Sequence, residues 1–189
     1  MKKKIKIVFL ILGISIITDC GSLPSESMKT FMDSSKKEGM IVGTISLENR
    51  KTISATNVFF YKKDGLPRIL SVKIVDSLKA IGNYKDNYDG IVIDKEKGDF
   101  IEDNKWIYLF NIVKPSGKYS FYERYILLNT GSMQSRREIP MQIPFEIEEG
   151  KIKYIGEIKL NVKKGEIEIL NKIERDRKIF KEKFPNIEF

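Results

Sequence analysis

The chain has 189 residues, 41% of them hydrophobic, which is enough for one substantial core, and it contains no histidine and a single cysteine. Those absences exclude a Ser-His-Asp triad, a Cys-His pair, a histidine-ligated zinc and a thiolate cluster. Setting aside Lys2, Lys3, Lys4, Lys6 and Asp19 as part of a targeting segment takes the 34 basic and 26 acidic residues to 30 and 25 and the formal charge from +8 to +5. The remaining charges are mixed in sign, a solvated surface and not the one-sided basic patch that nucleic acid requires.

Met1 to Lys6 is a basic opening, and Ile7 to Ile17 is an apolar run of signal-peptide length, too short to span a bilayer. Cys20 follows at once. This stretch resembles a bacterial lipoprotein signal: Ile17 and Thr18 match lipobox positions, and Cys20 is the residue that would be acylated and become the new N-terminus. Asp19 departs from the Gly, Ala or Ser of that pattern. The competing reading is a retained N-terminal anchor with an incidental thiol, but a lone cysteine in an exported chain cannot form an internal disulfide, and lipid attachment gives it a use. The resemblance implies a signal peptide over residues 1–19, a lipidated N-terminus and tether over 20–39, and a domain over 40–189. The Ser, Gly and Pro content after Cys20 suits a flexible spacer. Met28, Phe31 and Met32 form at most one short amphipathic turn.

Along the domain, alternation of period two predicts strands at Met40 to Leu47, Asn57 to Lys62, Ile69 to Val75 and Ile91 to Ile93, with Asp64-Gly65 reversing the chain. The rest of the stretch from Asp76 to Asn104 reads as loop. Its acidic residues Asp94, Glu96, Asp99, Glu102 and Asp103 faintly resemble a calcium loop, but Lys95 and Lys97 interrupt them and the closing glutamate is misplaced, so a polar turn is expected and no metal. Trp106 to Ile112 is apolar on both faces, which places it centrally in a sheet. Ile143 to Ile147 and Ile152 to Val162 flank Glu149-Gly150 as a hairpin, with Ile152, Tyr154, Ile158 and Leu160 facing inward. A strand at Glu166 to Leu170 and a helix from Glu174 to Lys183, docking through Ile173, Phe180 and Phe184, complete the chain.

No cofactor is expected, since the glycines fall singly at turns and offer no phosphate loop. No pair of carboxylates stands in a context that would raise one pKa and leave the other charged. The aromatic residues Trp106, Tyr108, Tyr122 and Tyr125 are candidates for a partner-binding surface; the competing reading places them in the core, because strands favour aromatics anyway. On simple alternation, Tyr122 and Arg124 lie on the opposite face of their strand from Tyr119, Phe121 and Glu123.

Gly43-Thr-Ile45, Tyr108-Leu-Phe110, Pro115-Ser-Gly-Lys-Tyr119, Glu148-Glu-Gly-Lys-Ile-Lys-Tyr-Ile-Gly156 and Phe184-Pro-Asn186 together resemble a set of short bacterial lipoproteins of uncharacterised function. The Pro-x-Gly-x-Tyr turn is also similar to turns in prealbumin-like modules. The resemblance implies an all-β, antiparallel β-sandwich with a C-terminal helix, held in the bacterial cell envelope at the outer membrane. It would meet the membrane through its N-terminal lipid and an envelope or host partner through its sheet face or loops. The alternative function is an enzyme or enzyme accessory acting on an envelope polymer.

Overall fold

Strand β1 (Glu38–Glu48) is buried along both faces, from Gly39 to Leu47, because it lies in the middle of the middle layer. A computed structural model describes residues 37–48, 55–65, 90–93, 98–129, 134–162, 164–185 and 187–189. The further strands are β2 (Ala55–Lys63), β3 (Gly90–Ile93), β4 (Phe100–Glu102), β5 (Lys105–Pro115), β6 (Gly117–Asn129), β7 (Gln134–Ile147), β8 (Ile152–Asn161) and β9 (Ile167–Leu170), followed by helix α1 (Ile173–Lys183). They form a five-stranded sheet, ordered β4-β5-β1-β8-β9, and a four-stranded sheet, ordered β3-β2-β6-β7. The protein is an all-β sandwich, antiparallel throughout except where β8 runs parallel to β1. The predicted strand Ile69 to Val75, the N-terminal signal, Cys20 and the tether all lie outside the described residues.

Alternation explains the layering. Ile41, Ile45 and Leu47 of β1 meet Phe59, Tyr61, Phe110, Phe121 and Phe145 between the two sheets. On the other side of the strand, Met40 and Val42 join Leu109, Phe180 and Ile187 beneath the helix. The helix therefore forms a third layer on the outer face of the five-stranded sheet. Phe180 is fully buried there and Phe184 packs beside it, as expected, whereas Ile173 stands outside that apolar cluster.

Three sequence expectations are corrected. First, β7 and β8 are not a paired hairpin: β7 pairs with β6 and β8 with β1, so Glu148 to Lys151 carries the chain from one sheet to the other. Its backbone is tied to β1, with Gly150 N donating to Glu38 O at 2.9 Å and Met40 N to Lys151 O at 2.8 Å. Second, the β1–β8 register slips between Val42 and Thr44, where β8 holds one residue more than β1. Such a bulge reverses which face the following residues present. Ile152 and Tyr154 therefore face the helix while Ile158 and Leu160 face the other sheet. Gly156 makes the bulge: its φ is +109°, and a Cβ would come within 3.0 Å of the Leu170 carbonyl oxygen. Third, the tract read as loop contains β4, paired with β5 through a two-residue turn at Asp103 and Asn104. Both have positive φ, 48° and 59°, which Asp and Asn tolerate better than most residues.

The Pro115-Ser116-Gly117 turn is another crossing between sheets, joining β5 to β6. Tyr119 locks the corner by donating its hydroxyl to Pro115 O at 2.8 Å. Pro140 and Pro144 fall on β7, at the edge of the four-stranded sheet, where proline is best tolerated.

Candidate functional site

The structure separates the four aromatic candidates. Tyr108 is buried between the sheets, and Trp106 is half-buried against the same core. Tyr122 and Tyr125 lie on the opposite face of the four-stranded sheet, around Phe60. Phe60 and Tyr122 stack with centroids 6.3 Å apart, Phe60 and Tyr125 meet edge-on at 6.5 Å, and Lys62 Nζ stands 5.7 Å from the centre of the Tyr122 ring. Tyr125 is itself buried. Tyr122, Phe60 and Lys62 are half-buried.

A second cluster, beneath the N-terminal turns of α1, was not foreseen. The buried residues Thr44, Ser46, Glu157 and Asp176 converge there with Tyr154 and Arg175. Asp176 Oδ2 accepts from Thr44 Oγ1 at 2.9 Å and from the Tyr154 hydroxyl at 2.6 Å, while its Oδ1 accepts from Arg175 Nε at 2.7 Å. Arg175 Nη1 reaches Glu157 Oε2 at 2.9 Å, an ionic contact too poorly aligned to be a directed hydrogen bond, and also pairs with Glu102 of β4. Ser46 donates to the other oxygen of Glu157. The guanidinium also stands 5.3 Å from the centre of the Phe100 ring.

The bulge at Gly156 aims Glu157 at the helix, and the next strand over, β1, presents Thr44 and Ser46 opposite. Burial of Arg175 works to lower its pKa, but Asp176, Glu157 and Glu102 together hold it above the ordinary value. Tyr154 is pushed well above the usual phenol range, first by burial and then by its hydrogen bond to the Asp176 carboxylate. Chemically, this is a fastener. Its carboxylates are engaged by Arg175 and by hydroxyls, and neither Asp176 nor Glu157 is accessible to a substrate.

A pH effect follows from Tyr154. Its folded-state pKa lies above the unfolded value of 10.0, so the stability it contributes is complete below pH 10 and is lost as pH climbs through the folded value. Denaturant titrations of the wild-type chain should show stability falling more steeply above about pH 10 than in Tyr154→Phe. Parallel curves would remove Tyr154 from this account.

Residues of the acidic tract take structural posts. Asp99 accepts the Leu109 amide at 2.8 Å and meets Lys183 at 3.4 Å, so both it and Glu102 bind the helix to the sheet. Among the described residues no group of three His, Cys, Asp or Glu side chains is arranged to hold a metal ion. In the Glu148-to-Gly156 motif, Lys151 and Lys153 hold the Glu148 carboxyl down to about 2.

A scan of protein-family models finds no match, and a search of curated proteins finds none either. Among solved structures the chain is similar, at 12% identity, to a leucine-rich repeat protein from Bacteroides thetaiotaomicron VPI-5482. The match covers 66% of this chain but 14% of that one, with a TM-score of 0.34, too low to carry an argument about fold or function.

Proposed function

We propose that the chain is a bacterial envelope lipoprotein, anchored through lipid on Cys20, whose β-sandwich acts as a non-enzymatic binding module. The observation that carries this reading is the N-terminal order of basic residues, an eleven-residue apolar run from Ile7 to Ile17 and the chain's sole cysteine. Among the described residues no helix is long and apolar enough to cross a membrane, and lipid would supply the attachment. Tyr122, half-buried on the outer face of the four-stranded sheet, is the aromatic candidate to test for partner capture. An enzyme acting on envelope polymer would need accessible, differently tuned carboxylates. Asp176 and Glu157, two carboxylates that share Arg175, are buried and held by it.

A pull-down from the protein's own membranes tests both halves. A single acyl chain binds only marginally, so stable anchoring calls for the two or three chains of a bacterial lipoprotein. Cys20→Ser should release the protein into detergent-free washes. Tyr122→Ala should stay membrane-bound and folded but lose the captured partner. A Cys20→Ser chain that remains on the membrane refutes lipid anchoring, and unchanged capture by Tyr122→Ala refutes a role for Tyr122 in capture.

A further inference from the structure

Simple alternation along β6 would send Arg124 to the outer face, away from Tyr119 and Phe121. The β2–β6 register instead slips by one residue, so that Phe60 faces Glu123 but Tyr61 faces Phe121, leaving Tyr122 as the extra residue. Beyond that bulge Arg124 points inward, opposite Phe59, and its side chain is fully buried between the sheets. Nε and Nη2 both donate to Asn57 Oδ1, at 3.1 and 2.6 Å, and the guanidinium carbon stands 5.9 Å from the centre of the Phe59 ring. Nη1 is buried and has no hydrogen-bond partner.

Among the described residues no carboxylate pairs with this guanidinium. Its charged neighbour is another arginine. Arg124 faces Ile139 on β7 and Ile126 faces Arg137, which makes Arg137 a diagonal neighbour on the same face, a separation of about 7–8 Å in an antiparallel pair. Burial, and then the Arg137 charge, pull the Arg124 pKa down to about 10. An unpaired buried guanidinium is costly, and the exposed Arg137 beside it adds positive charge that an anion at Arg124 would help to neutralise.

We infer that Arg124 is the anchor of an anion site between the two sheets, suited to one small carboxylate. Asn57 occupies the Nε–Nη2 edge of the guanidinium, so the edge formed by Nη1 and Nη2 is left for two oxygens in parallel, the bidentate geometry that a carboxylate matches. The surroundings favour a small, planar, singly charged group over phosphate. Phe59 and Ile126 make the site apolar, and a dianion would cost far more to desolvate there. The site is independent of how the chain is attached to a membrane, so it stands or falls separately from the lipoprotein proposal.

The test is thermal melting of the full chain at fixed ionic strength, with chloride replaced stepwise by formate or by inorganic phosphate. Formate should raise the melting temperature saturably, as a ligand of the native state does, and phosphate should not. Arg124→Met fills similar volume without charge and should abolish the rise, while Arg137→Gln should weaken formate binding without abolishing it. In the unaltered chain, the Nε–H resonance of Arg124 should shift with formate over the same concentrations, a readout that needs no variant to fold. The site is overturned by an absent or unsaturable formate effect, by an unmoved Arg124 resonance, or by a rise that survives in Arg124→Met. An equal rise with phosphate overturns the carboxylate assignment.

Discussion

Asp176→Ala should destabilise the fold by about 3–5 kcal/mol, the usual cost of removing one partner from a buried charged pair. The carboxylate is fully buried on α1 and accepts from Thr44, Tyr154 and Arg175. Without it, a largely buried guanidinium loses its best-directed partner, and two hydroxyls lose their acceptor. Typical domains have only about 5–15 kcal/mol to lose. Much of the loss should appear as undocking of the helix, because what remains is the apolar contact of Phe180, Ile187 and Phe189 with Met40, Val42 and Tyr154 and the partly exposed ion pairs to Glu102 and Asp99. Urea denaturation followed by circular dichroism measures the first effect, and hydrogen exchange over residues 173–183 measures the second. A loss under about 1 kcal/mol, the scale of an exposed ion pair, would show that the cluster does not fasten the helix.

Ile158→Ala should cost about 2–5 kcal/mol, and Lys159→Ala should cost little. Ile158 is wholly buried between the sheets. The neighbouring Lys159 reaches only surface carboxylates, Glu168 at 3.5 Å and Glu48 at 4.0 Å, contacts that solvent screens. Melting the two variants side by side checks the register of β8 after its bulge. Comparable losses would mean that the strand is out of register by one residue.

Ile158 and Lys159 lie where alternation alone reads the strand correctly, and the same holds for β1, β2, β5 and β9. In each, at least one face is apolar at every second position or both faces are apolar as in β5, so local pattern and global fold agree. The class, the approximate strand limits, the apolar character of both faces of β5 and the helix with its buried Phe180 were all legible for that reason. Of the aromatic candidates, Tyr108 and Tyr125 are buried, as the competing core reading places them. Tyr108 is buried against the facing sheet and Tyr125 lies beside Phe60, neighbours set by strand pairing and layering and not by the local pattern.

The failures share one cause. Periodicity carries no information about a single inserted residue, yet one residue reverses every later side chain in a strand. The bulge at Tyr122 turns Arg124 into the sandwich, and the bulge at Gly156 turns Glu157 toward the helix, so both buried charged sites originate at points where alternation breaks. Arg175 and Asp176 were invisible for a related reason. In sequence they read as the polar face of a terminal helix, and only the docking of that helix over Thr44 and Ser46 makes Asp176 a buried acceptor. Pairing was equally hidden, since Glu149-Gly150 has the local chemistry of a hairpin, and only long-range contacts send β7 to β6 and β8 to β1. By itself, then, the sequence determined the all-β class, the positions of β1, β2, β3, β5, β8 and β9 and the exclusion of histidine-based and multi-thiolate sites, because those follow from composition and short-range pattern. Only the tertiary structure decided which sheet each strand joins, which charges are buried and where a ligand could meet an unpaired one, because those depend on bulges and on neighbours distant in the chain.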